Sequence, residues 1–325
     1  MFVRHMTALA APLVLGIACM SAAAAAAPEA AGIPGGFYRI KVGNYEVTAL
    51  GDGVGEIGAS LLHGDQNVIV PLLKNDHIDP VTMPGPVNAY LVNTGSKLIL
   101  VDSGTGGNWG PPSLGRMLAN LHAAGYKERQ VDLILITHMH PDHVGGLVSA
   151  GGKALFPNAD VRMTQADNDF WLSQKIADGA PAGAQVYFTL ARKAAAPYLK
   201  AGHWKPFQPG DQVDAAVTAV ALPGHTPGHV GYRFQSAGRQ LLVWGDVVHA
   251  EAVQMAHPEI AIDFDADAAA AVASRTRLFG ELAAGDTLVA GAHLPFPGLG
   301  YVGTTGAAYR WVAAPYVTVS TMGAH

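Results

Sequence analysis

A single cysteine, Cys19, occurs in the 325 residues. It lies in an N-terminal stretch that reads as a leader, so the rest of the chain has neither disulfides nor thiolate metal ligands. Such a chain depends on its hydrophobic core, and roughly 300 residues suffice for one large domain with a buried interior. Charge is also scarce: 14% of residues are charged, the formal net charge is −5, and no basic run occurs. That excludes the electrostatic footprint nucleic-acid binding needs. The chain has no G-x-S-x-G elbow, so neither a serine nor a cysteine nucleophile is indicated.

Long apolar runs are missing too. The best, Leu9 to Met20, follows the basic stretch Met1-Phe2-Val3-Arg4-His5 and precedes Ala22 to Ala27, which offers several Ala-x-Ala cleavage choices. This reads as a signal peptide over 1–27, too short and too rich in alanine to span a membrane. The expectation is a periplasmic or secreted protein. Acylation at Cys19 is disfavoured, because Gly16-Ile17-Ala18 lacks the usual leucine three positions upstream. Residues 28–36, rich in Pro and Gly, read as a mobile lead-in to a single domain over 37–325.

Along that domain, short apolar runs bounded by Gly, Asn or Asp have strand length: Tyr45–Leu50, Ala89–Val92, Leu98–Val101, Leu133–Thr137, Val217–Leu222, Gly231–Phe234, Leu241–Trp244 and Leu288–Ala290. Helical patterning falls between them at Leu114–Ala124, Gln165–Ile176, Val186–Lys200 and Ala266–Ala284. The alternation predicts a layered α/β or α+β domain. Residues 54–86 lack periodicity and read as a long surface excursion of the kind that borders active sites.

The densest chemistry is Thr137-His138-Met139-His140-Pro141-Asp142-His143 after the run Leu133 to Ile136. In extended chain, residues two apart face the same side, so His138 and His140 can meet one metal. Pro141 breaks the strand and lets Asp142 and His143 turn toward a second. Later apolar runs end on further donors: His229 closes Gly224-His225-Thr226-Pro227-Gly228-His229, Asp246 follows Leu241 to Gly245, and His293 follows Leu288 to Ala292. Imidazole and carboxylate are ligands that zinc accepts, although Fe, Mn and Co accept them as well.

This ordered set resembles the metallo-β-lactamase superfamily. The resemblance implies a four-layer αββα sandwich with two Zn²⁺ at one edge: His138, His140 and His229 on the first, Asp142, His143 and His293 on the second, and Asp246 between them. It casts His225 as structural and Asp102 as a partner that orients a ligand, while Asp52, set in Gly51-Asp52-Gly53, reads as a turn residue.

Tyr90 to Lys97, Ala123 to Tyr126, Phe170 to Gln174 and His293 to Gly298 further resemble the methyl parathion hydrolase branch. That likeness implies a small-molecule pocket walled by Trp109, Trp171 and Tyr187. Where the phosphotriesterase of that branch carries Arg, Leu, Thr and Leu, this chain places Leu62, His249, Ile262 and Phe264, with His249 expected to donate to substrate and Phe264 to take up room. The expected activity is opening of lactones or cleavage of aryl esters by a hydroxide shared between the metals, with Asp142 taking the proton. The alternatives are organophosphate triester hydrolysis, and an iron-dependent oxidoreductase on the same fold. The sequence leaves the oligomeric state open, a homodimer included.

Overall fold

The computed structural model describes residues 36–208 and 210–317. The leader expected at 1–27, with Cys19, and residues 28–35 lie outside the described residues. Two six-stranded sheets form the centre. The first runs, in spatial order, Phe37–Val42, Tyr45–Ile57, Met83–Asn93, Leu98–Val101, Leu133–Leu135 and Asp160–Arg162. The second runs Ala308–Ala313, Leu299–Thr305, Leu288–Ala290, Arg239–Val243, Val230–Ser236 and Val217–Ala221.

Strands buried on both faces explain the unbroken apolar runs, because period-two alternation sends successive side chains into different layers. In Leu98–Val101, Ile99 and Val101 point between the sheets, whereas Leu98 and Leu100 point outward under the helices. In the second sheet Leu241 and Val243 meet them from the other side, and Leu242 and Trp244 face away. Helices Met117–Ala123, Gln165–Leu172 and Ala182–Ala201 cover the first sheet, supplying Met117, Leu121, Trp171, Phe188, Ala191 and Tyr198 to that outer layer. Helix Ala268–Ala283 covers the second sheet with Leu278, Phe279 and Leu282. The result is the four-layer αββα arrangement.

Several local expectations change. The helix expected over Gln165–Ile176 is two helices, Gln165–Leu172 and Gln174–Gly179, because Ser173 takes an extended conformation and its hydroxyl caps Ile176 N. The supposed featureless excursion at 54–86 contains helix Gln66–Asn75, capped by Asp65, whose side chain accepts from Asn67 N. That helix buries Ile69 and Leu73 against Leu62, Val253 and Ile262 in a small core of its own. Leu62–His63 also pairs with Ala261–Ile262 as a two-stranded ribbon. Among the described residues no helix is long and apolar enough to cross a membrane.

Candidate metal centre

Strand ends and the turns after them gather the polar side chains at one edge of the sandwich. Leu133–Leu135 ends just before Thr137, and the short helix Pro141–Val144 opens with Pro at its first position, so His138 and His140 precede the break while Asp142 and His143 follow it. Asp246 follows Arg239–Val243, and His293 follows Leu288–Ala290, the neighbouring parallel strand.

The donor atoms converge closely. His138 Nε2 and His225 Nε2 each lie 3.0 Å from His140 Nδ1. Asp246 sits between the groups: its Oδ1 is 3.1 Å from His143 Nε2, and its Oδ2 is 2.9 Å from His293 Nε2 and 3.2 Å from His225 Nε2. Asp142 Oδ2 lies 3.6 Å from His143 Nε2 and 3.5 Å from His293 Nε2. Among the described residues three groups bring their donor atoms close enough to hold a metal ion: His138–His140–His225–Asp246, Asp142–His143–His293 and Asp246–His249–His293.

The structure brings all the expected ligands together except His229. Its Nδ1 lies against Leu222 O at 3.0 Å and its Nε2 accepts the Asp246 N–H at 2.9 Å, so both ring nitrogens are spent inside the protein. His225, expected to be structural, takes the place in the cluster. The two histidines share one G-H-T-P-G-H run, and spacing alone does not say which of them turns inward. Burial, with His225 nearby, lowers the pKa of His229 to about 3, which keeps its Nε2 free to accept.

Further contacts fix the ring orientations. Asp102 holds His143 Nδ1 at 2.9 Å and also accepts Thr137 N and Thr137 Oγ1, each at 2.8 Å. Asp265 holds His225 Nδ1 at 2.9 Å, and Pro86 O holds His293 Nδ1 at 2.7 Å. Partners of this kind set which imidazole nitrogen faces the metal. Asp167, which the sequence did not single out, is fully buried and accepts Met139 N at 3.0 Å and Gly228 N at 2.7 Å, joining the first histidine pair to the loop that bears His225.

Electrostatics divide the histidines. Burial, with repulsion from His143, holds His138 well below the usual imidazole range, and burial with His225 does the same to His140. Burial also opposes charge on His143, but Asp246, Asp142 and Asp102 outweigh it and raise it well above. Burial likewise opposes charge on His225, but hydrogen bonds donated to Asp246 and Asp265 push it up to about 9. Despite its burial, Asp246 is held well below the carboxylate range by His143, His293 and His138. The carboxylates among these imidazoles favour positive charge at the cluster, which bound cations would supply in place of protons.

The donor set fits divalent cations. His143 Nε2 and Asp246 Oδ1 are buried and have no conventional hydrogen-bond partner, although they face each other. Buried polar atoms rarely stay unpaired.

A cavity of about 640 Å³ opens directly on the cluster and is lined by His140, Asp142, His225, Asp246 and His293. Trp109, Tyr187, His249 and Phe264 also line it, as expected. Trp109 and Tyr187 meet edge to face, 6.0 Å between ring centroids. Trp171 is not part of the wall: it is 4% exposed and packs behind His140 at 5.1 Å. Leu62 and Ile262 do not line the cavity either; they are buried cross-strand partners in the small core against which Phe264 packs. His249 lies at the cluster with its Nε2 3.1 Å from Asp246 Oδ2, and burial lowers its pKa to about 4.

A family model described as the metallo-beta-lactamase superfamily matches residues 82–293. The chain belongs to the metallo-beta-lactamase superfamily. Among solved structures this member is similar to the hydrolase AbOPH, at 35% identity and TM-score 0.84, covering 88% of this chain and 100% of that one. It is also similar to AidC, a dizinc quorum-quenching lactonase solved with the product N-hexanoyl-L-homoserine, at 27% identity and TM-score 0.78, covering 87% and 99%. A probable metallo-hydrolase of Mycobacterium tuberculosis is 27% identical over 60% of this chain and 69% of its own length. An uncharacterized Bacillus subtilis protein, YobT, is 28% identical, and the match spans 45% of this chain and 56% of that one. This superfamily member is a metal-dependent hydrolase.

Proposed function

We propose that this hydrolase opens lactones or cleaves aryl esters at a pair of divalent metals, zinc by choice of ligands. His138, His140 and His225 would hold one cation, Asp142, His143 and His293 the other, and Asp246 both. The observation that carries the reading is the cavity, whose floor is this ligand cluster and whose walls include Trp109, Tyr187 and Phe264. Such a space takes a flat acyl or aryl group and sets its carbonyl over the cluster, which makes attack nearly intramolecular.

Bound cations in such a site supply Lewis acidity and an activated water. The chain does the rest. Asp102, Asp265 and Pro86 O hold the imidazoles in register, Trp109 and Tyr187 shield the reacting carbonyl from bulk water, and Asp142, at the cavity wall, passes a proton toward the leaving oxygen. Phe264 narrows the space available to a tetrahedral triester, which supports an ester or lactone over a phosphotriester. The dizinc lactonase similar to this chain supports the same direction. The leader reading supports an exported location for this activity.

The test is a substrate panel on zinc-loaded protein: dihydrocoumarin, an acyl-homoserine lactone, a phenyl ester and methyl paraoxon. The expected kcat/KM for a lactone or aryl ester exceeds that for methyl paraoxon by at least 100-fold. A preference for methyl paraoxon would replace this reading with the phosphotriesterase.

A further inference from the structure

The cavity carries one charged side chain that is not part of the metal cluster. Glu56 lines its wall beside Val54, Gly55 and Ile57, and no Lys or Arg occurs among the described residues of that lining. The carboxylate stands near the end of the strand Tyr45–Ile57, where Glu56 pairs with Pro84. Pro84 is two positions before Pro86, whose carbonyl holds the His293 ring. At about 3.4 Å per strand residue, that puts the two backbone positions roughly 7 Å apart. The loop bearing Trp109 lies against the same strand, with Ser113 Oγ donating to Val54 O at 2.7 Å. Glu56 and Trp109 both belong to the lining of this one cavity.

We infer that Glu56 sorts substrates by charge, so that the cavity takes uncharged and ammonium-bearing esters or lactones and turns away those that carry an anionic group. The inference rests on the cavity being the substrate site. Two features combine in it. The negative wall repels a substrate carboxylate or phosphate, and no Lys or Arg among the described residues of the lining offsets that repulsion. An aromatic ring at Trp109 and a carboxylate at Glu56 in the same lining each favour a substituted ammonium. The same wall helps expel the carboxylate that hydrolysis produces. Glu56 is exposed, so the discrimination is screened by salt and amounts to roughly 3- to 10-fold per charge.

The experiment uses zinc-loaded full chain and three 4-nitrophenyl esters whose acyl chains end in methyl, trimethylammonium or carboxylate. The ratio of kcat/KM for the cationic over the anionic ester is measured in wild type, Glu56→Gln and Glu56→Lys, at low and high salt. The expected ratio exceeds 10 in wild type, falls at least 3-fold in Glu56→Gln and at high salt, and inverts in Glu56→Lys. An unchanged ratio across the three proteins would overturn the inference. Binding of phenyltrimethylammonium and its uncharged isostere tert-butylbenzene is measured by calorimetry in parallel. If no ester or lactone is hydrolysed, the hydrolytic reading fails and binding decides the charge question. Tighter binding of the cation that depends on Glu56 supports it, and equal binding in wild type and Glu56→Gln overturns it.

Discussion

His229 Nε2 accepts the backbone N–H of Asp246 at 2.9 Å, so the second histidine of the G-H-T-P-G-H run holds the main chain of the central carboxylate while the first, His225, faces the cluster. The two histidines therefore differ in what their loss does. His225→Ala is expected to remove one metal equivalent per chain and lower kcat by at least 100-fold. His229→Ala is expected to keep metal binding measurable at raised zinc and to lose stability, because it leaves the Asp246 N–H and Leu222 O buried and unpaired, at about 1–3 kcal/mol each. Metal analysis after dialysis and thermal melts separate the two.

Asp102 links strand to ligand by accepting from Thr137 N, Thr137 Oγ1 and His143 Nδ1. Asp102→Asn keeps the shape but supplies an N–H where a donor already points. The expected result is zinc affinity weakened about 10- to 100-fold, read by competition with a chelator, with little change in the far-UV circular dichroism.

Asp52, expected to be a turn residue, is a fully buried carboxylate that closes a loop. It accepts Thr105 N, Thr105 Oγ1 and Gly115 N on Oδ2 and Met117 N on Oδ1, with Trp109 between those anchor points. Asp52→Ala strands several buried donors and is expected to cost on the order of 3–5 kcal/mol. The midpoint of a denaturant melt checks this. Asp52→Asn in a refolded, zinc-loaded sample is expected to raise KM for an aryl ester more than it lowers kcat.

Gly228 is required by space. A Cβ there would lie 2.1 Å from Thr164 Oγ1 and 2.5 Å from Asp167 N. Gly228→Ala is therefore expected to push the His225 loop off the Gln165–Leu172 helix, weakening zinc binding together with thermal stability. Retention of wild-type zinc affinity would show that this close approach is not what places His225.

The layers and the ligand elements were legible in the sequence because fully buried strands write unbroken apolar runs, as Leu98–Val101 and Leu288–Ala290 do, and because donors two residues apart before a proline have few other uses. What stayed hidden depends on tertiary contact. Nothing local distinguishes His225 from His229; the choice is made by Asp265, forty positions on, and by the Asp246 amide. Trp171 reads like a pocket aromatic yet packs behind His140, since the helix that carries it turns that face to the core. Leu62 and Ile262 pair across a ribbon that neither segment announces alone. Helix Gln66–Asn75 writes little periodicity into the sequence because Pro71 lies inside it and its apolar face meets a small separate core. Glu56 left no signal, being an ordinary exposed residue until the strand places it on the cavity wall.

The central claim is that two metals, held by the cluster around Asp246, drive hydrolysis of a lactone or aryl ester. The most direct measurement is a zinc titration of metal-free protein followed by dihydrocoumarin hydrolysis and metal content on the same samples. The account predicts that activity is absent without metal and reaches its plateau at two equivalents per chain. Full activity at one equivalent, or hydrolysis by metal-free protein, would contradict it.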